Sequence, residues 1–184
     1  MKVASTPLPG VLLLEPRLFR DERGFFLETW QQARYAACGI AGPFVQDNLS
    51  RSVRGTLRGL HFQEPQPQGK LVSVVRGAVY DVAVDIRRGS PTFGQWVAEE
   101  LTADNRRQLW IPEGFAHGFL ALQDETHFLY KTTDIYARDC ERSIRWDDPA
   151  IGIQWPLPAG LAAPRVAPKD AGAPLLAGAD LPAA

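Results

Sequence analysis

The chain reads as all-β, a sandwich or a barrel. Three observations predict this class. Short apolar or alternating runs recur between turn residues along most of the 184 residues, as they do where strands are joined by tight connections. Near the start, a single stretch carries a convincing helical pattern. There is no βαβ rhythm, no glycine-rich phosphate loop and no internal repeat.

The elements follow in order. Residues 11–15 and 25–29 are the first two strand candidates. Residues 31–38 carry the helical pattern, and Gly39 can terminate it, since glycine enters the left-handed region without a Cβ penalty. In 44–49, Gln46 and Asn48 share a face, an arrangement suited to hydrogen bonding a base or a sugar. Strands over 56–62 and 70–75 set His61 and Lys70 near their facing ends. In 78–86, Val79, Asp81, Ala83 and Asp85 fall on one face, and Tyr80, Val82, Val84 and Ile86 on the other. The two aspartates mark a polar face that lines either solvent or a cavity. Residues 95–101, 107–111, 118–122, 126–133 and 143–146 complete the strands. From Pro156 onward proline, alanine and glycine dominate, which predicts a loosely structured tail broken by one polar pair, Lys169-Asp170.

The length is that of one domain, expected over 1–184, and suffices to bury a substantial core. The net charge of −1 and isoelectric point of about 6.3 argue against a general nucleic-acid binder, while allowing a local basic pocket. Cys38 and Cys140 show no metal or redox spacing, so a reduced, cytoplasmic setting is expected. The apolar run 11–14 is too short for a signal-peptide core or a membrane span.

Chemistry concentrates in a few runs. Leu57-Arg58-Gly59-Leu60-His61-Phe62-Gln63 is followed closely by Gly69-Lys70. A second run is Pro112-Glu113-Gly114-Phe115-Ala116-His117-Gly118-Phe119, and a third is Phe128-Leu129-Tyr130-Lys131-Thr132-Thr133. Histidine works as a general base near its unperturbed pKa. A base, a lysine cation and a phenol are the parts needed to move a proton on and off carbon beside a carbonyl. The alternatives are a structural strand histidine at His61, a hydrogen-bonded loop histidine at His117 and a packing aromatic at Tyr130. His127 is read as a surface residue, and Lys131 as solvated on the face opposite Tyr130. Arg23 and Arg58 suit a diphosphate, because guanidinium binds phosphate oxygens bidentately. Arg51 and Arg54 are read as surface charge. A jelly-roll metal site usually needs two histidines on one strand, but the position two after His61 is Gln63, which speaks against metal.

These runs, with Arg23-Gly24-Phe25-Phe26-Leu27-Glu28 and Phe44-Val45-Gln46-Asp47-Asn48, resemble the dTDP-4-dehydrorhamnose 3,5-epimerase family. The resemblance runs in order from about Arg23 to Asp170. It implies a cupin-type jelly roll of two antiparallel sheets around a cavity. It also implies a homodimer that uses neither metal nor organic cofactor. Carried over motif by motif, it makes His61 the base and Tyr130 the acid that returns a proton from the other face. Lys70 would stabilise the enolate oxygen at C4, and Asp170 would pair with His61 and hold its tautomer. Substrate contacts fall at Arg23, Phe26, Glu28, Gln46, Asp47 and Asn48, and at Arg58, His117, Glu141 and Lys169. Tyr136 falls where an aromatic ring stacks on thymine. The chain departs from the family before the aspartate, where it reads Ala167-Pro168-Lys169-Asp170.

Three readings compete: a 3,5-epimerase, an epimerase or ketoisomerase acting at one carbon on the same scaffold, and a non-catalytic cupin that binds sugars. The presence of both His61 and Tyr130 weighs against the last. A metal-dependent cupin enzyme is disfavoured by Gln63.

Overall fold

The computed structural model describes residues 1–40 and 42–182. The strands are β1 (Lys2–Ser5), β2 (Leu12–Glu15), β3 (Leu18–Asp21), β4 (Gly24–Leu27), β5 (Gln46–Ser52), β6 (Thr56–Gln63) and β7 (Lys70–Arg76). They continue with β8 (Ala78–Asp85), β9 (Trp96–Thr102), β10 (Gln108–Ile111), β11 (Phe115–Ala121), β12 (Thr126–Thr132), β13 (Glu141–Ser143) and β14 (Arg165–Val166). Two short helices are α1 (Gln32–Ala36) and α2 (Pro168–Ala171).

One six-stranded sheet has the order β1-β2-β10-β7-β12-β5. The other has the order β13-β6-β11-β8-β9, and β14 adds to β6 in parallel. A separate two-stranded hairpin is made by β3 and β4. Every other pairing is antiparallel. This is the cupin-like jelly roll expected from the resemblance.

The alternation of each strand decides which side its residues bury. Val72, Val74, Leu109, Phe119 and Phe128 meet between the sheets. Leu14, Leu71 and Trp110 turn to the outer face of the first sheet, where Tyr35 of α1 and Ile40 cover them. Gln31 accepts a hydrogen bond from Arg34 N–H at 2.7 Å to start α1, and Gly39, at φ +86°, leaves it. On the second sheet, Val79 and Ala83 of β8 face inward while Val82 and Val84 face outward, and all four are buried.

The tail corrects the expectation from composition. Leu176, Ala179 and Leu181 pack with Ile144 and Ile151 on the outer face of the second sheet. Burying a leucine fully is worth about 1.5–3 kcal/mol, so a few well-placed apolar residues order a segment rich in proline and alanine. Two further differences concern boundaries. The strand expected at 118–122 begins at Phe115 and so takes in His117, and the one expected at 143–146 lies at Glu141–Ser143. Strands β1, β3 and β14 were not anticipated. Among the described residues, no helix is long and apolar enough to cross a membrane.

Candidate active site

The site is built on a fault in β6. His117 of β11 pairs with His61, but Phe119 pairs with Arg58, so two steps along β11 match three along β6. The extra residue is a bulge. At its centre Gly59 has φ +120°, and a Cβ there would lie 2.6 Å from Gly118 Cα and 2.7 Å from the His117 carbonyl oxygen. Only glycine on both strands permits that approach. In a regular strand, residues three apart point to opposite faces. The bulge turns both Arg58 and His61 into one cavity.

His61 Nε2 lies 2.7 Å from Asp170 Oδ1, and the other carboxylate oxygen accepts from Gly59 N–H at 3.2 Å. Asp170 is buried, carried there by α2 from the tail. Burial pushes its carboxyl up, but the hydrogen bond and charge of His61, the Gly59 N–H and Lys169 outweigh this and hold it below the usual range. An ionised carboxylate only accepts. Nε2 is therefore the protonated nitrogen, and Nδ1 keeps the lone pair a base needs.

Beside it stands a second pair. His117 Nε2 lies 3.0 and 3.1 Å from the two oxygens of Asp81, which is fully buried. Burial raises the Asp81 carboxyl, against the opposing pull of His117 and Lys70. Asp81 therefore stands behind the cavity-lining His117 rather than in the cavity itself. Asp85, expected on the same face, is instead occupied by Arg87, Ser90 and Thr92. Lys70 Nζ donates to the His61 carbonyl at 3.2 Å. Its burial lowers the ammonium from 10.5 to about 8, although Asp81 and Glu141 oppose the shift.

The opposite wall comes from the first sheet. Tyr130 of β12 pairs with Asn48 of β5 and lines the cavity. Burial raises its phenol, with Arg58 opposing and Glu141 assisting. Gln46 donates to Asn48 at 2.8 Å and accepts from Tyr136 N–H at 2.9 Å, which ties the half-exposed Tyr136 to the rim. Glu141 accepts from Lys169 at 2.8 Å and from the Tyr136 hydroxyl at 3.3 Å. Gln63 uses both ends of its amide: it donates to the carbonyls of Gln66 and Ile135 and accepts from Ala137 N–H. The cavity measures about 380 Å³, a volume suited to a small organic ligand.

Comparison with known proteins decides the family. The dTDP-4-dehydrorhamnose 3,5-epimerase profile matches residues 5–178. The chain belongs to this epimerase family. It is 55% identical over 181 residues to the dTDP-4-dehydrorhamnose 3,5-epimerase of Pseudomonas aeruginosa, covering 98% of each chain. It superposes with a TM-score of 0.95 and 51% identity on the 3,5-epimerase of Legionella pneumophila bound to dTDP-4-keto-L-rhamnose, covering 100% of this chain and 98% of that one. It is also similar to a 3'-monoepimerase from Streptomyces bikiniensis bound to dTDP-quinovose, with a TM-score of 0.86 and 36% identity over 94% of this chain and 88% of that one.

Within this epimerase chain the expected residues divide. His61, Lys70, Tyr130, Arg58 and His117 line the cavity, as do Gln46, Asn48, Tyr136, Glu141 and Lys169. Asp170 lies behind His61. Four others stand elsewhere. Asp47 points from the opposite face of β5 and pairs with Lys131 at 2.9 Å, so Lys131 is engaged rather than simply solvated. Arg23 and Phe26 lie on the exposed β3–β4 hairpin, with Arg23 bonded to Asp21. Glu28 pairs with Arg34 at 3.4 Å. Arg51 pairs with Glu125, in keeping with surface charge. Asp81 and Gln63 were missed as site residues. The shared face of Asp81 with Val79 and Ala83 was the available signal. Among the described residues, no three histidine, cysteine, aspartate or glutamate side chains gather into a set that could hold a metal.

Proposed function

We propose that His61 and Tyr130 divide the proton transfers of the family's reaction in this chain, with Lys70 holding the charge that develops between them. The chain epimerises dTDP-4-dehydro-6-deoxy-D-glucose at C3 and C5 to dTDP-4-dehydro-L-rhamnose, a step of dTDP-L-rhamnose biosynthesis. The observation that carries the residue assignment is that His61 and Tyr130 stand on opposite sheets and line one cavity.

The 4-keto group acidifies the hydrogens on both neighbouring carbons, so one ketone serves two inversions. His61 takes the proton, and the C–H electron pair passes to the C4 oxygen as an enolate. The imidazolium that results faces Asp170. Lys70 donates to the oxyanion, and a fixed donor of this kind is worth about 3–4 kcal/mol. When the enolate collapses, the Tyr130 phenol gives its proton to carbon from the other face. Each acid–base step contributes about 10²–10⁴-fold. His61 and Tyr130 then exchange protons with solvent and regain their starting states. The nucleotide does not react. Its binding energy positions the sugar, with Tyr136 against the thymine and Arg58 on the diphosphate.

Neither a metal nor an organic cofactor enters this scheme. A homodimer completes it: the β3–β4 hairpin exposes Phe25, Phe26 and Arg23, and a partner would cover them and receive Arg23 and Glu28 at its own site. The test is incubation with dTDP-4-keto-6-deoxyglucose in D₂O containing EDTA, with deuterium read by NMR. Label and inversion at both C3 and C5 are expected. Label at one carbon alone would favour the single-carbon reading, and activity that needs a divalent ion would overturn the metal-free scheme.

A further inference from the structure

Inward-facing residues of β5 alternate as Gln46, Asn48, Ser50 and Ser52. Three of the four polar ends are occupied within the protein. Gln46 and Asn48 bond each other, and Ser52 Oγ accepts from Arg58 Nε at 3.2 Å. Ser50 differs. Its Oγ is buried and has no hydrogen-bond partner among the described residues, yet the residue lines the cavity. Buried polar atoms in native proteins are nearly all paired, and an unpaired one costs free energy unless something else satisfies it.

The surroundings say what that is. Ser50 pairs across the sheet with Phe128, whose ring stacks on Phe119 at 4.2 Å and on His117 at 5.9 Å, and none of these rings bonds the Ser50 hydroxyl. Arg58, at the next inward step, brings guanidinium donors to the same end of the cavity. A hydroxyl needing an acceptor, beside a cation and against an apolar wall, matches an oxygen of a hexosyl diphosphate. We propose that Ser50 is a substrate-binding residue whose hydroxyl donates a hydrogen bond to an oxygen of the sugar diphosphate. This rests on the sugar-nucleotide reading of the cavity.

Ser50→Ala tests it with two readouts of opposite sign. A hydroxyl with a structural role would destabilise the free protein on removal. A hydroxyl held in reserve for the ligand should leave the melting temperature unchanged or raise it. At the same time, binding should weaken about tenfold, the worth of one hydrogen bond to a charged or well-placed acceptor. Calorimetry with thymidine, with dTDP and with dTDP-glucose locates the contact. Loss with both nucleotides but not with thymidine assigns a phosphate oxygen, and loss with dTDP-glucose alone assigns a hexose oxygen; either supports the proposal. Ser50→Ala with wild-type affinity for both nucleotides overturns it, as does a lowered melting temperature with unchanged affinity. Wild-type protein that binds neither nucleotide would overturn the sugar-nucleotide reading itself, and this proposal with it.

Discussion

Arg58 and His61 face one cavity although they stand three residues apart on a single strand. The Gly59 bulge is what makes this possible. Gly59→Ala would place a Cβ 2.6 Å from Gly118 Cα at a backbone angle that L-residues rarely adopt. We expect a loss of about 2–4 kcal/mol in urea unfolding, and a fall in activity larger than the unfolded fraction explains. A Gly59→Ala protein with native stability and full turnover would show that the bulge does not set the site.

Asp170→Asn removes the charge behind His61 and keeps the shape. Turnover should drop by about 10²-fold or more, while dTDP affinity stays within about twofold, because the aspartate lies behind the ring and not on the nucleotide path. A variant with wild-type kcat would dismiss the dyad. The folded carboxyl sits below its ordinary range. Its contribution to stability is therefore present at neutral pH and is lost as pH falls from the ordinary carboxylate range through that lowered value.

The three groups proposed to carry the reaction should fail differently in D₂O. His61→Ala should abolish exchange at both carbons, because nothing removes the proton. Tyr130→Phe should lose inversion and keep some exchange, since a proton taken by His61 can return to the same face. Lys70→Ala should slow both carbons together, because both carbanions share the C4 oxygen. Inversion by Tyr130→Phe at the wild-type rate would remove the phenol from its role.

Lys70, as the proposed oxyanion donor, should also give the reaction an alkaline limit. Its ammonium titrates at about 8, and only the protonated form donates to the oxyanion. Thus kcat/KM should fall as pH rises through about 8, approaching tenfold per unit beyond it. Lys70→Arg, whatever its absolute rate, should lack this limb, since guanidinium stays charged. The stability effect has the opposite sense. Burying the ammonium costs stability below about 8, and that cost lifts between about 8 and 10.5.

Light scattering at micromolar concentration should give the mass of a dimer. Phe26→Ser, at a ring that is 69% exposed in the single chain, should weaken association and lower activity together. A fully active monomer would exclude the partner's Arg23 from the site.

Much of the fold could be read because period-two alternation is a local property. Most expected strands lie within a few residues of those observed, and the two faces of β8 bury as their alternation indicates. His61, Lys70, Tyr130, His117 and Arg58 were legible as chemistry-bearing residues, while Tyr136, Glu141 and Lys169 were reached through resemblance; alternation alone would have set Arg58 and His61 on opposite faces. The same alternation, applied to Gln46 and Asn48, already put Asp47 on the far side. What could not be read is long-range. Nothing near Leu176 or Leu181 announces the sheet they cover, and nothing near Asp170 announces His61. Asp81 was visible as a polar residue on a strand face, but its partner lies 36 residues away.

The Asp170 contact spans 109 residues of chain. Closing so long a loop costs about 4 kcal/mol in chain entropy, which the docked tail must offset. A ribosome makes both sheets before it makes Asp170. A nascent chain therefore has the strands of both sheets while its histidine still lacks the aspartate. The His61–Asp170 pair is thus among the last contacts that synthesis allows, and it waits on the translation and docking of the end of the chain.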